Sequence, residues 1–386
     1  MRVQLDKDVA AEAVQWAARS LPLRPSLPIL AGLLIQAEAD SVTLSSFDYE
    51  TSAKITVAAQ VEEPGTALVS GRLLSEIIRS LPVKPISLSS DEQALELVCG
   101  SARFDLQLLP AADYPDLPRM PQTSGSIKSD ELAKAVNQVV VAAGRDELLP
   151  VFTGVRIEFE DEQVSLLATD RYRMALKELT WRPTSPNLSA AALVPARVLS
   201  EIAKSLVSGD QVTLSLATAG SGEGLIGFEG EGVNGHRQIT TRLLDGEFPK
   251  VRHLMNIANE LSVRANVAEL LAAVKRVALV AERNTSLSML IGDDGVTLEA
   301  ASGDQARASE TVTAVVENHA GGDLPLDQAG FNPHYLSDVL SVLDAPYVHL
   351  SFSGPGKPCL VTALDDIDGD PLLNYRHVIM LMRLPH

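Results

Sequence analysis

The sequence predicts an α+β chain in which one unit is repeated three times, each unit two helices packed on antiparallel strands. Three observations carry this. A helical pattern occurs as Leu74-Ser75-Glu76-Ile77-Ile78-Arg79-Ser80-Leu81, as Leu199-Ser200-Glu201-Ile202-Ala203-Lys204-Ser205-Leu206 and as Leu336-Ser337-Asp338-Val339-Leu340-Ser341-Val342-Leu343. Apolar residues fall at i, i+3, i+4 and i+7 each time, which is one stripe of a helix. A second pattern ends a strand on an aspartate, in LSSFDYE at Asp48, LLATDRYR at Asp170 and EAASGDQAR at Asp304. A third set places a helix early in each unit, over Val9–Arg19, Leu132–Val140 and Leu270–Val280. The first marker recurs after 125 and 137 residues and the second after 122 and 134, so independent offsets agree.

Within the first unit the early helix leads into the strand-like runs Leu33-Leu34-Ile35 and Val42-Thr43-Leu44, then the Leu-Ser-acid helix, then Ala94–Val98 and Arg103–Leu106. The second unit repeats this with Val155–Phe159 and Val164–Leu166. Alternating apolar and polar residues suit strands with one face buried. Turn-rich stretches at Pro118–Gly125 and Met255–Glu260 separate the units and give domains 1–122, 123–257 and 258–386.

Composition narrows the function. With 386 residues and 46% hydrophobic content there is enough apolar material for several cores, and disorder is excluded for most of the chain. No apolar run approaches the ~18 residues of a membrane helix, and the opening MRVQLDKDVAAEA carries acids where a signal peptide needs an apolar stretch. Cys99 and Cys359 show no CxxC spacing, so a reduced, cytoplasmic setting is expected. Thirty-two Lys and Arg against 50 Asp and Glu leave −18, which disfavours any module that grips nucleic acid by bulk charge. Eight Phe, six Tyr and two Trp are few for a base-stacking platform.

The basic residues nevertheless recur in register. Opposite the apolar stripe of the Leu-Ser-acid helices lie Arg72 and Arg79, Arg197 and Lys204, and His334 and Ser341, while the early helices add Arg19, Lys134, Lys275 and Arg276. Glu76 and Glu201 stand between the basic pairs at ion-pairing spacing. A solvated, ion-paired face accounts for this pattern, and so does a lining that faces an anion. The recurrence on matched faces of an otherwise acidic chain favours the second.

Other motifs carry no chemistry. Gly222-Glu223-Gly224-Leu225-Ile226-Gly227 matches GxGxxG, yet no helix follows and Glu223, Glu229 and Glu231 would repel phosphate. Asp365-Asp366-Ile367-Asp368-Gly369-Asp370 lacks the spacing and distal glutamate of a calcium loop, and the seven histidines are scattered singly. Asn187-Leu188-Ser189 and Asn284-Thr285-Ser286 are glycosylation sequons without meaning in a cytoplasmic protein. No phosphate-binding lysine loop, nucleophile elbow or HExxH is present, so neither catalysis, a metal nor a cofactor is expected.

Specific segments resemble the bacterial β sliding-clamp family: Arg24-Pro25-Ser26-Leu27-Pro28-Ile29-Leu30, Leu109-Pro110-Ala111-Ala112-Asp113-Tyr114-Pro115, Ala168-Thr169-Asp170-Arg171-Tyr172-Arg173, Leu244-Asp245-Gly246-Glu247-Phe248-Pro249, Gly330-Phe331-Asn332-Pro333 and Met382-Arg383-Leu384. The resemblance runs the whole length and itself requires three repeats. It implies three clamp-type domains per chain and a ring closed by two chains head to tail, with twelve helices lining the hole. It further implies a non-catalytic processivity subunit of DNA polymerase III that encircles duplex DNA without reading sequence. Topology then replaces affinity, and a near-neutral lining within an acidic shell suffices because screening acts over ~8 Å. Arg24, Arg72, Arg79, Arg197 and Lys204 are the expected DNA-facing residues.

The resemblance also implies an apolar pocket between the second and third domains. It receives linear peptides from the polymerase III alpha subunit, the clamp loader and other proteins bearing a clamp-binding motif. Carried over position by position, it falls on Phe152, Thr169, Arg171, Tyr172, Arg173, Met174, Pro249, His253, Leu254, Val378, Met380, Leu381, Met382, Arg383 and Leu384. Methionines beside leucines suit an adaptable surface, and Val378–Leu384 is expected to be the last strand as well. The ring contact is expected at Phe104, Leu279 and Val280. The family usually has proline where Leu381 stands and arginine where His253 stands, and Pro385 and His386 extend past its customary last leucine. These departures imply altered binding of peptides, or of cyclic peptide antibiotics that mimic them, as in a second, resistance-conferring copy. The competing expectation is a protein-interaction scaffold of the same fold that never loads on DNA.

Overall fold

The computed structural model describes residues 1–217, 224–282, 285–293, 295–303 and 305–384. Gly222, Glu223, Asn284, Asp304, Pro385 and His386 therefore lie outside the described residues. Among the described residues, six α-helices fall where the repeats require them: α1 (Lys7–Ala18), α2 (Gly71–Ser80), α3 (Ser129–Val140), α4 (Ala196–Ser205), α5 (Val267–Val277) and α6 (Pro333–Val342). The early helices start two or three residues before the apolar periodicity does, and in α1 and α5 a polar residue caps the start. Asp6 accepts from the amides of Asp8 and Val9, and Asn266 from that of Glu269. The third early helix also stops at Val277, and Ala278–Val280 tightens into a 3₁₀ turn.

The chain packs as two compact units. The first comprises Met1–Ala133, Trp181–Ala190 and Arg197–Leu243, and the second Lys134–Thr180, Ala191–Ala196 and Leu244–His386. These units cut across the three repeats, and strand pairing is the reason. In the first unit, Gly235–Arg242, the last strand of the second repeat, pairs antiparallel with Thr51–Ala58 of the first, from His236 opposite Thr56 to Thr241 opposite Thr51. In the second unit, Leu372–Ile379 of the third repeat pairs likewise with Arg173–Thr180 of the second, with Met174 opposite Val378. Each junction thus fuses two half-sheets into one, nine-stranded in the first unit and twelve-stranded in the second among the described residues. The first unit also holds a five-stranded sheet that ends on Ala102–Gln107.

Helix stripes and inner sheet faces supply the cores. Leu74 and Ile78 of α2, Leu199 and Ile202 of α4, and Leu336 and Leu340 of α6 are all buried. The GxGxxG segment enters the strand Leu225–Gly232, as its lack of a following helix required. The Asp365–Asp370 loop closes on itself, with Asp366 accepting from the Asp368 amide at 3.0 Å. No cluster of three metal-ligating side chains occurs among the described residues. No described helix is long and apolar enough to cross a membrane.

Buried polar groups mark both junctions. Arg237, on the joining strand of the first, stacks 5.3 Å from Trp16, donates to the Ser205 carbonyl at 2.5 Å and pairs with Glu12. Burial lowers its pKa and Glu12 acts against that shift. At the matching place of the second junction the Tyr375 hydroxyl donates to the Gln138 carbonyl at 3.0 Å and lies 3.0 Å from His377 Nδ1. His377 is fully buried, and desolvation, aided by the Arg173 charge, pushes its pKa down to about 3.

Candidate functional site

The site is built on the Thr169–Arg173 hairpin of the second unit. Asp170 Oδ1 accepts from the amides of Tyr172 and Arg173, both at 3.0 Å. Thr169 Oγ1 donates to the Arg173 carbonyl at 2.7 Å and accepts from the Arg171 amide at 3.1 Å. These bonds hold Arg171 at φ 81°, a left-handed conformation unusual for a side-chain-bearing residue. Arg173 is only 7% exposed. Its Nε donates to Asp170 at 3.0 Å and its Nη1 to Asp338 of α6 at 2.7 Å, while the guanidinium lies 4.3 Å from the Tyr335 ring centroid. Burial raises the Tyr335 hydroxyl pKa, and Asp170 adds to that shift.

Below the hairpin lies an apolar floor. Leu167, Met174, Leu176, Leu193, Phe248, Met255, Leu360 and Val378 form one buried cluster, with Val151, Leu244, Val251 and Ile257 packed on it. The chain end borders this floor. The strand stops at Ile379, yet the Met380 amide still donates to the Tyr172 carbonyl and the Met382 amide to that of Gly330, both at 2.8 Å. A Cβ at Gly330 would stand 2.6 Å from the Met382 carbonyl oxygen, so glycine is what lets the tail pass. The expectation that Val378–Leu384 is wholly a strand is thus corrected: past Ile379 the tail is held by single bonds rather than a ladder.

Two cavities are bounded in part by residues expected in the pocket. A cavity of about 500 Å³ is bounded by Phe152, Arg171, Tyr172 and Arg173, together with Leu149, His334, Tyr335 and Asp338. A second, of about 410 Å³, is bounded by Pro249 and His253 with Leu167, Phe248 and Arg252. Thr169, Met174 and Val378 are buried, Leu254, Met380 and Arg383 are exposed, and Leu381, Met382 and Leu384 are half-buried. Leu384 lines a different cavity, together with Ser286, Arg307 and Gln328. The turn carrying His253 is pinned by alternating charges: Arg252 bridges Glu158 at 3.1 Å and Glu178 at 3.4 Å, and Arg376 meets Glu178 at 2.9 Å.

Sequence reasoning missed Tyr335, His334 and Asp338 as members of the site. The available signal was the repeated acid of the Leu-Ser-acid pattern, which reads as a partner for bases on its own helix. Only the fold brings Asp338 to Arg173, 165 residues away.

The residues expected to face DNA are all exposed in the first unit: Arg24, Arg72, Arg79, Arg197 and Lys204. Arg72 donates to the Pro22 carbonyl at 2.8 Å. Glu201 pairs with Lys204 at 3.5 Å and with Arg19 at 3.7 Å, whereas no ion pair joins Glu76 to Arg72 or Arg79 among the described residues. The ion-paired reading of these faces therefore holds for α4 and not for α2.

Among the strand edges that lack a partner among the described residues are two beside the expected ring contact. Ala102–Gln107 pairs only with Ala94–Cys99, and the Ala306–Thr313 part of Ala306–Asn318 pairs only with Gly295–Ser302. Phe104 is half-buried on the first edge. Leu279, 84% exposed, and half-buried Val280 sit in a turn packed against the second.

Comparison with known proteins agrees along the whole chain. The family profiles described as DNA polymerase III beta subunit match residues 1–118 (N-terminal domain), 126–250 (central domain) and 255–382 (C-terminal domain). The beta sliding clamp of Streptomyces coelicolor is 49% identical over 384 residues, covering all of both chains. A beta sliding clamp homologue of Streptomyces muensis, GriR, is 39% identical over 383 residues and 99% of each chain. Among solved structures, the Bacillus subtilis DNA polymerase sliding clamp superimposes with a TM-score of 0.86 at 25% identity, and a Pseudomonas aeruginosa sliding clamp bound to griselimycin with 0.86 at 24%, each covering 100% of both chains. The chain therefore belongs to the DNA polymerase III beta subunit family, the bacterial beta sliding clamps.

Proposed function

We propose that two copies close head to tail into a ring around duplex DNA. The ring tethers the polymerase III alpha subunit, the clamp loader and other motif-bearing proteins through the pocket at the Thr169–Arg173 hairpin, without catalysis, in the cytoplasm. The unpaired strand edges carry this reading. By position in the ladders, 102–106 corresponds to 237–241 of the joining strand, and 306–310 corresponds to 51–55. Pairing them as at the first junction sets Phe104 opposite Ala308 and Asp105 opposite Arg307. The inward faces then match: Ala102, Phe104 and Leu106 meet Glu310, Ala308 and Ala306, and a one-residue slip would turn one set outward. Leu279 and Val280 lie beside that seam. A chain with one such edge at each end of its repeats is built to join a copy of itself.

Arg24, Arg72, Arg79, Arg197 and Lys204 would then meet phosphate non-specifically. His253 borders the cavity of about 410 Å³, and the departures from the family's usual residues at His253 and Leu381 support altered handling of peptides and cyclic peptides there. Domain limits of 1–122, 123–257 and 258–386 fit this scheme, since each would carry one pair of helices. The test loads the protein with clamp loader and ATP onto a nicked circular plasmid, then cuts the plasmid once. Release on cutting with retention on the circle supports a ring. Equal retention on both forms means binding by affinity and rejects it.

A further inference from the structure

The first unit holds a cavity of about 600 Å³ at the junction of Thr51–Ala58 with Gly235–Arg242. By repeat position it is the counterpart of the second unit's cavity of about 410 Å³. Leu34 pairs with Ser45 there as Arg156 does with Leu167, and Tyr114–Arg119 borders the space as Phe248–His253 borders the other. The chemistry is reversed. The apolar Leu167, Met174, Val378 and Phe248 of the second unit become Ser45, Ser52, Thr240 and Tyr114, with Ser52 opposite Thr240 as Met174 is opposite Val378. All four are buried. The Ser52 and Thr240 hydroxyls lie 2.6 Å apart, so one donates to the other and the acceptor keeps a proton to give. The Tyr114 hydroxyl is buried and makes no hydrogen bond of normal geometry. Burying such groups costs free energy that leucine and methionine do not incur. Two cations border the same space. Lys54 stands where the second unit has Leu176, and Arg119 where it has His253. Both are exposed, and neither pairs with a carboxylate among the described residues, Asp116 of the same cavity included.

We propose that this cavity is a second binding site, for a nucleoside phosphate. Lys54 and Arg119 meet the phosphate, and the hydroxyls of Ser52 and Thr240 meet the sugar. Leu117 and Met120 add an apolar wall, which a base uses and a bare sugar phosphate does not. The volume lies within the range of small-molecule sites. A peptide suits the space less well, because a floor of hydroxyls offers no apolar hole for an anchor and exposed ion pairs alone give little affinity. The site lies in the other unit from the peptide pocket and does not depend on that reading.

The test is isothermal titration calorimetry of the full chain, without clamp loader or DNA. The probes are adenosine and uridine 5′-diphosphates, the two nucleosides and inorganic phosphate. At least one diphosphate is expected to bind at low salt with Kd on the order of 0.1 mM, and its nucleoside and inorganic phosphate about tenfold more weakly or worse. The affinity should fall as salt rises. Lys54→Met and Arg119→Gln should each weaken the diphosphate by about fivefold, while Lys54→Arg should keep most of the binding. Lys357→Met removes an exposed lysine of the second unit and should change nothing. Both cations are exposed and unpaired, so the variants should unfold at the parent's temperature. Three results overturn the proposal: neither diphosphate binds, a nucleoside or inorganic phosphate binds as tightly as the diphosphate, or the affinity is unchanged in both Lys54→Met and Arg119→Gln.

Discussion

Asp338→Ala tests whether the link between α6 and the hairpin shapes the pocket. The substitution removes one of the two carboxylates that hold the Arg173 guanidinium and leaves Nη1 facing a gap. An unsatisfied charged donor costs about 1.5–3 kcal/mol when fully buried. Here the Arg173 side chain is 6% exposed but that of Asp338 is 37% exposed, so water replaces part of the lost bond. Asp170 and the Tyr335 ring also remain in place. About 1–2 kcal/mol is therefore expected on folding of the second unit. If half or more of that appears as hairpin mobility in the free pocket, an apolar-anchor peptide should bind about threefold to tenfold more weakly. Asp338→Asn keeps an acceptor oxygen and should lose less. Ser341→Ala removes a hydroxyl that donates to the Asp338 carbonyl at the end of the same helix, and it should leave peptide affinity near that of the parent. Affinities by anisotropy beside thermal unfolding separate the cases. If Asp338→Ala lowers the unfolding temperature while peptide affinity stays within twofold of the parent, the link is structural only and the reasoning fails.

Three further outcomes are expected. Glu12→Ala strands the buried Arg237 guanidinium against Trp16 and should lower stability of the first unit by about 2–4 kcal/mol in chemical denaturation; a loss under 1 kcal/mol would count against a stabilising Glu12–Arg237 pair. His377 and His349 have pKa values held down to about 3 and about 4 by burial, so below the unfolded value near 6.5 only the unfolded chain takes up their protons. Their contribution is intact above pH 6.5 and falls by up to about 1.4 kcal/mol per histidine per pH unit on acidification, a slope that His377→Gln should reduce in urea titrations at pH 7 and pH 5. Cysteines placed at Asp105 and Arg307 should join two chains through a short bis-maleimide into a denaturant-resistant dimer. Asp105→Cys with Thr311→Cys, ~13 Å along the strand, should not, and equal yields would refute the register.

Much of this architecture is legible in the sequence because it repeats. The stripes of α2, α4 and α6 are local, and the aspartates at 48 and 170 mark the same hairpin twice, down to the left-handed residues Tyr49 and Arg171. Helix starts at Lys7 and Val267 escaped the apolar periodicity because caps, not stripes, set them. The pairing of Gly235–Arg242 with Thr51–Ala58 and the reach of Asp338 to Arg173 were not legible, since side chains more than 160 residues apart leave no spacing to read. The pairing of Met174 with Val378 across the second junction has the same origin.

The joining strands also set which seam yields first. The two internal junctions lie within one chain, so a partner strand that lets go stays tethered and returns without waiting for a second molecule. The seam proposed between Ala102–Gln107 and Ala306–Thr313 has the same kind of ladder but no tether, and it answers to the bulk concentration of the protein. Three chemically similar contacts thus differ in lifetime through connectivity alone. Any agent that pries the assembly apart will find its opening at the untethered seam, which is where a strand of DNA without ends must pass.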